Sequence, residues 1–166
     1  MLTGIHFLLS YKCDSECDHC FVYSSPNAKG TFTLDQMKKV FGELSKIETI
    51  EWIILEGGEP FLFYPLMYEG IKMARSMGFK TGLVTNAYWA TSEDDAELWL
   101  KPLHDLGLSD ISISDDEFHY EDKEASPADP FALTSPQLKK VLTRSMSKGN
   151  RLLAVALCSE GEQLRN

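Results

Sequence analysis

Positive charge and long apolar runs are both scarce in this chain of 166 residues. It has 16 lysines and arginines against 25 aspartates and glutamates, which gives a net charge of −9. Such an acidic chain attracts phosphate poorly, which weighs against nucleic acid as its main partner. No apolar run is long enough to span a bilayer, and residues 1–10 lack the basic start and small-residue cleavage site of a signal peptide. We therefore expect a cytoplasmic protein without a membrane partner.

Cysteine is also scarce, and its distribution argues against a disulfide framework. Of four cysteines, Cys13, Cys17 and Cys20 fall within eight residues, whereas Cys158 lies near the other end. A disulfide-stabilised secreted domain spreads its cysteines along the chain. A tight group in a cytoplasmic protein instead indicates a metal or iron–sulfur site.

The sequence shows a regular alternation of strand and helix patterns. Short apolar runs predict strands, and apolar residues at helical spacing predict helices. The predicted strands are residues 4–10, 52–55, 80–85, 110–114 and 151–157, and the predicted helices are residues 33–47, 65–77, 92–106 and 135–148. This alternation is typical of an α/β fold with a parallel sheet covered by helices. Because five strands are too few for an eight-stranded barrel, we expect the chain to be truncated on its C-terminal side.

The three clustered cysteines follow the first strand as C-x3-C-x2-C, in the first strand-to-helix loop. Zinc needs four ligands and usually takes them from two separated pairs, whereas an iron–sulfur cluster takes thiolates from one short loop. Three cysteines on a four-iron cluster leave one iron open to a small molecule. Cys158 is either a fourth ligand that closes the cluster or a buried apolar thiol, and the second interpretation is favoured.

A second motif, Gly57-Gly58-Glu59-Pro60, follows the second strand. Glycines let the backbone approach a ligand closely, and the Glu59 carboxylate suits an ammonium group. Without a ligand, the same residues would form a simple tight turn. Asn86 follows the third strand at the same edge of the sheet, and it is either a hydrogen-bonding residue for a ligand or a turn residue.

The acidic segment of residues 115–124 holds six acids and one base. It begins a long segment, residues 115–134, for which no helix or strand is predicted. One interpretation is a solvated acidic loop, and the other is a lid over a site that favours a cationic substrate.

Together, the C-x3-C-x2-C loop and the Gly-Gly-Glu-Pro run after the next strand resemble the radical S-adenosylmethionine (radical SAM) superfamily. The resemblance covers nearly the whole chain. It implies that residues 1–166 form one core domain, a partial TIM-type (β/α) barrel with five of an expected six strands. It also implies two cofactors, a [4Fe–4S] cluster and S-adenosylmethionine (SAM).

The resemblance further implies roles for individual residues. The cluster ligands would be Cys13, Cys17 and Cys20, with the amino and carboxylate groups of SAM on the fourth iron. SAM would be contacted by Gly57, Gly58 and Glu59 at its amino group, and by Ser114 and Asp115 at its ribose or carboxylate.

The implied activity is reductive cleavage of SAM to a 5′-deoxyadenosyl radical that abstracts hydrogen from a substrate not identified by the sequence. An external one-electron donor of the ferredoxin or flavodoxin type would be required. The alternative is a non-catalytic metalloprotein, either a zinc-stabilised module or an electron carrier whose cluster is closed by all four cysteines.

Overall fold

The computed structural model describes residues 1–114 and the backbone of residues 154–158. The strands are β1 (Gly4–Leu8), β2 (Trp52–Glu56), β3 (Lys80–Thr85), β4 (Asp110–Ser114) and β5 (Ala154–Cys158), and the helices are α1 (Leu34–Leu44), α2 (Tyr64–Ser76) and α3 (Glu93–Asp105). A short 3₁₀ turn, Pro60–Phe63, precedes α2. Asp115, the acidic segment and the predicted helix at 135–148 lie outside the described residues.

The five described strands form one parallel sheet in chain order. The α/β prediction is therefore confirmed, and each predicted strand has its counterpart. The ends are in register, with Leu8 opposite Glu56 and Ser114 opposite Cys158. Because every pair is parallel, the carboxyl ends of all five strands lie along one edge. We call this edge the carboxyl edge and the opposite one the amino edge.

Local sequence signals explain where the helices begin and end. The hydroxyl of Thr33 accepts the N–H of Gln36 and the Gln36 side chain accepts the N–H of Thr33, which forms a capping box at the start of α1. Ser92 caps α3 through the N–H of Asp95 (3.0 Å). Gly78, with φ +92°, follows the end of α2. Among the helices of the described part, none is long and apolar enough to cross a membrane.

The core lies between the sheet and the helices. Burial alternates along β2, where Ile53 and Leu55 are buried and their neighbours are half-buried. The buried face packs against fully enclosed helical side chains such as Phe41 and Ile71. The other face of the sheet stays partly open, and its open side chains near the carboxyl edge include Ser114. This arrangement leaves room for a site on the open face.

Candidate cofactor site

A cavity of about 290 Å³ lies at the carboxyl edge of the sheet. It is lined by the cysteine loop, by the Gly-Gly-Glu-Pro motif and by the ends of β2, β3 and β4. Eight of the nine site residues predicted from the sequence line it, namely Cys13, Cys17, Cys20, Gly57, Gly58, Glu59, Asn86 and Ser114. The ninth, Asp115, lies outside the described residues. Segments that are far apart in the sequence therefore meet around one space.

Backbone hydrogen bonds fasten the base of the cysteine loop to the sheet and to the returning part of the same loop. The N–H of Leu9 donates to the carbonyl of Glu56 (2.7 Å), and the N–H of Cys13 donates to the carbonyl of Ser25 (3.1 Å). The first strand is shorter than predicted because the chain leaves β1 after Leu8, and Ser10 instead pairs with Thr31 in an antiparallel bridge. The loop thus returns beside its own start and holds the cysteines over the cavity.

The three thiols differ in burial and in electrostatic surroundings. Cys13 is only 9% exposed, whereas Cys17 and Cys20 are half-buried. Burial, reinforced by the nearby carboxylates of Asp14 and Glu59, raises the pKa of the Cys13 thiol to about 12. Its thiolate would therefore need a bound cation to become stable, and metal ligation supplies that charge and releases the proton.

The two glycines of the motif are required by packing. Gly57 and Gly58 have φ values of +85° and +56°, where glycine is favoured. A Cβ on Gly57 would lie 2.8 Å from Cα of Leu8, and one on Gly58 would collide with the backbone carbonyl of Lys12. Both glycines are therefore required by contacts within the chain, and the predicted approach of their backbone to a ligand stays a prediction.

The carboxylate of Glu59 is held inside the protein. It is 1% exposed and accepts hydrogen bonds from the N–H of Phe61 (3.0 Å), the hydroxyl of Thr85 (2.8 Å) and the N–H of Asn86 (2.9 Å). Burial raises its pKa to about 7, although these three donors act in the opposite direction. Glu59 thereby joins the end of β2 to the end of β3.

The structure also brings in residues that the sequence did not single out. Ser24 is buried, and its hydroxyl accepts the N–H of Gly58 (3.1 Å). Thr85 accepts the indole N–H of Trp89 (3.0 Å) while its own hydroxyl donates to Glu59. Asp14 accepts from the side chain of Asn86 (2.8 Å). The acidic cysteine loop and the polar end of β3 were visible in the sequence, but these pairings were not.

Comparison with known proteins identifies the family. The family model of the radical SAM superfamily matches residues 7–149. The chain belongs to the radical SAM superfamily. The superfamily's cofactors, a [4Fe–4S] cluster and SAM, are accordingly those of this chain.

Two curated relatives each align with about two thirds of the chain. YydG of Bacillus subtilis, named as a candidate peptide biosynthesis protein, is 28% identical over 111 residues, which are 67% of this chain and 35% of YydG. The PqqA peptide cyclase of Bradyrhizobium diazoefficiens is 32% identical over 107 residues, which are 64% of this chain and 26% of the cyclase. The matched region thus covers between about a quarter and a third of these relatives.

The fold is that of the radical SAM core. BtrN, solved in complex with AdoMet and 2-DOIA, superposes with a TM-score of 0.61 at 16% identity, covering 99% of this chain and 59% of BtrN. The parallel sheet with its helices is therefore a partial TIM-type barrel, as predicted.

The residues around the cavity fit the two cofactors of the radical SAM family. All three thiols of the C-x3-C-x2-C loop line one cavity, as a cluster bound through three cysteines requires. Within residues 1–114, no three side chains of His, Cys, Asp or Glu converge closely enough to hold a single metal ion. Next to the thiols, the positive-φ backbone of Gly57 and Gly58 forms part of the cavity wall that a small polar ligand could contact.

Proposed function

We propose that this chain is the core of an enzyme that cleaves SAM reductively and uses the resulting radical on a substrate. The proposed cluster ligands are Cys13, Cys17 and Cys20, and the proposed SAM contacts are Gly57, Gly58, Glu59, Asn86, Ser114 and Asp115. The observation that carries the proposal is the single cavity bordered by both sequence motifs. Two unrelated motifs that meet at the carboxyl edge of a parallel sheet lie where such folds bind their ligands.

The chemistry divides between the cofactors and the protein. When bound, the cluster and SAM supply a one-electron reduction that releases methionine and a 5′-deoxyadenosyl radical able to abstract hydrogen from a substrate. The protein holds the ligands in place, orients them and limits the access of water. An external donor of the ferredoxin or flavodoxin type would supply the electron. A cytoplasmic location is part of this proposal, because reducing conditions there keep thiols available.

Within the cavity, the side chains and backbone have separate tasks. The thiols of the cysteine loop bind iron, while the backbone around Gly57 and Gly58 offers polar groups to the amino-acid part of SAM. Glu59 keeps the ends of β2 and β3 in fixed relation through its hydrogen bonds with Thr85 and Asn86. Ser114, half-buried at the end of β4, also lines the cavity.

Anaerobic reconstitution with iron and sulfide tests the proposal. The wild-type protein should take up a [4Fe–4S] cluster, and the EPR spectrum of the reduced cluster should change when SAM is added. Formation of 5′-deoxyadenosine with dithionite as reductant should follow. A reconstituted cluster whose EPR spectrum does not change when SAM is added would refute the proposal.

One observation favours testing the alternative in which all four cysteines bind the cluster. The backbone of Cys158 pairs with Ser114, so it lies at the carboxyl edge where the cavity is. If all four cysteines bound the cluster, no iron would be left for SAM, and the protein would be an electron carrier. Cys158→Ala separates the two functions, because it should leave a SAM-binding cluster intact and should damage a closed one.

For the substrate, we propose a peptide. Two relatives carry names that refer to peptides, YydG and the PqqA peptide cyclase. The full-length gene product should then release more 5′-deoxyadenosine in the presence of a pool of synthetic peptides than in the presence of free amino acids. Equal release with both pools would refute the peptide assignment and leave the cleavage of SAM untouched.

A further inference from the structure

Asn86 contacts both of the loops that carry the proposed cofactor ligands. Its backbone N–H donates to Oε2 of Glu59 (2.9 Å), and its side-chain Nδ2 donates to Oδ1 of Asp14 (2.8 Å). Its side-chain Oδ1 accepts the N–H of Tyr88 (3.1 Å), which fixes the orientation of the amide. The residue therefore fastens the end of β3 to the cysteine loop on one side and to the Gly-Gly-Glu-Pro motif on the other.

The same amide faces one of the proposed iron ligands. Nδ2 of Asn86 lies 3.9 Å from Sγ of Cys13, and Oδ1 of Asp14 lies 3.6 Å from the same sulfur. An amide NH₂ group has two hydrogens, so one serves the carboxylate while the other is available to the sulfur. Asn86 thus presents the positive end of a dipole to Sγ, whereas Asp14 presents a carboxylate.

We propose that Asn86 is a positioning residue for the cluster. Its side chain ties the cysteine loop to β3 through Asp14, and its N–H toward the Cys13 sulfur makes the cluster easier to reduce. Hydrogen bonds to the sulfurs of an iron–sulfur cluster raise its reduction potential, because they stabilise the more negatively charged reduced state. This inference rests on the proposed function, since it takes Cys13 as a cluster ligand.

Two alanine variants distinguish this role from a merely structural one. Asn86→Ala and Asp14→Ala each remove the same tether, so each should lose iron to a chelator about tenfold faster than the wild type. The double variant should lose iron no faster than either single variant, because both break one contact. In EPR-monitored redox titrations without SAM, Asn86→Ala should shift the midpoint to more negative potential and Asp14→Ala to more positive potential. A residue that only supports the loop would not give shifts of opposite sign.

Two further variants keep the experiment decisive. Asn27→Ala removes an exposed asparagine from a turn of the same loop, and it should change neither iron loss nor midpoint. Asp14→Asn removes the charge but keeps an acceptor for Nδ2, so it should raise the midpoint while iron loss stays at the wild-type rate. This variant tests the proposal even if Asn86→Ala fails to fold.

The possible failures are distinguishable. Equal midpoints in the wild type and in Asn86→Ala, shifts of the same sign in both alanine variants, or iron loss from Asp14→Asn as fast as from Asp14→Ala would each overturn the role of Asn86. A wild-type cluster that still responds to SAM would leave the proposed function standing in that case. A wild-type protein that takes up no [4Fe–4S] cluster would overturn the proposed function, and this inference with it.

Discussion

Charged side chains at the two edges of the sheet lie in opposite surroundings, buried at one and exposed to solvent at the other. At the carboxyl edge, the side chains of Ser24, Glu59 and Thr85 are buried. Ser24 accepts the N–H of Gly58, and Thr85 donates to Glu59. At the amino edge, Glu51 and Lys80 pair at 3.0 Å with their side chains 60% and 51% exposed. Burying polar groups is costly unless each finds a partner, whereas an exposed ion pair costs and contributes little.

This difference shows where precise alignment matters in the fold. The buried groups of the carboxyl edge connect segments that must meet around the cavity, so removal of one of them should displace another. The exposed pair of the amino edge connects neighbouring strands that their backbone ladder already aligns. Substitutions at the two edges should therefore differ in size and in kind.

The largest effect should come from the cysteines at the carboxyl edge. Cys13→Ala, Cys17→Ala and Cys20→Ala should each abolish cleavage of SAM, because two thiolates hold a four-iron cluster poorly. Cys158→Ala should keep both the cluster and the activity. Iron content per chain and 5′-deoxyadenosine formation after anaerobic reconstitution measure these outcomes. Loss of the cluster in Cys158→Ala would contradict the model of an open iron.

The next effect should come from the glycine motif. Gly58→Ala combines a strained φ of +56° with a collision against the backbone of Lys12, so it should lower the free energy of unfolding by roughly 2–5 kcal/mol. The affinity of the reconstituted Gly58→Ala variant for SAM should fall as well. Chemical denaturation measures the first quantity and a titration monitored by EPR measures the second.

Substitutions at two other glycines separate the effect of backbone strain from that of the collision with Lys12. Gly78→Ala faces a positive φ of +92°, but no neighbour among the described residues would contact the added Cβ, so strain alone should cost about 1–2 kcal/mol. Gly42 lies inside α1, where an added Cβ would meet no described residue beyond its own helix, so Gly42→Ala should stabilise the protein by about 0.5–1 kcal/mol. Neither should alter SAM affinity. Equal costs for Gly58→Ala and Gly78→Ala would show that the contact with Lys12 is unimportant.

Local signals made much of the fold predictable. The strand of residues 80–85 and the start of the helix predicted from residue 33 depend on neighbouring residues, and the structure has the strand at the same residues and the helix from Leu34 with Thr33 as its cap. The end of β1 was not predicted correctly, because Ser10 pairs with Thr31, a partner 21 positions away. The 3₁₀ turn Pro60–Phe63 was missed as well. Its start is stabilised by the Glu59 side chain, which accepts the N–H of Phe61.

The residues of the site likewise divide into those that the sequence predicted and those that only the fold brings together. The cysteine triplet and the glycine motif were found because the residues of each lie close together in the sequence and their chemistry can be inferred from spacing. The contact between Asn86 and Asp14 joins residues 72 positions apart, and that between Glu59 and Thr85 joins residues 26 apart. No periodicity in a single sequence encodes such pairs, since they exist only once the parallel strands have placed their carboxyl ends together.

A smaller effect is expected from Glu59, and it should depend on pH. Its pKa is about 7 in the folded protein and near 4.5 without burial, so between these values the folded state holds a proton that the unfolded state has lost. Raising the pH through this window should therefore lower stability, by on the order of 2–3 kcal/mol. Glu59→Gln removes this contribution, so its unfolding free energy should fall less across the same window.

Chemical denaturation of the reduced protein without cluster, at several pH values, measures the difference. Glu69→Gln, the same substitution on the exposed side of α2, controls for the change in net charge. Parallel pH profiles for the wild type and Glu59→Gln would show that Glu59 is already ionised in the fold. The contrast between the two edges would then lose its clearest electrostatic example.

The smallest effect should come from the amino edge. Glu51→Gln removes the exposed ion pair with Lys80 and should cost no more than about 1 kcal/mol, with the loss shrinking at high salt. Lys80→Met should cost more, because Nζ of Lys80 also lies 5.5 Å from the centre of the Trp52 ring. A double-mutant cycle by denaturation isolates the pair, and iron content after reconstitution should match the wild type in every variant. A coupling energy above about 2 kcal/mol, or any loss of iron, would mean that the amino edge takes part in holding the site and does more than close the sheet.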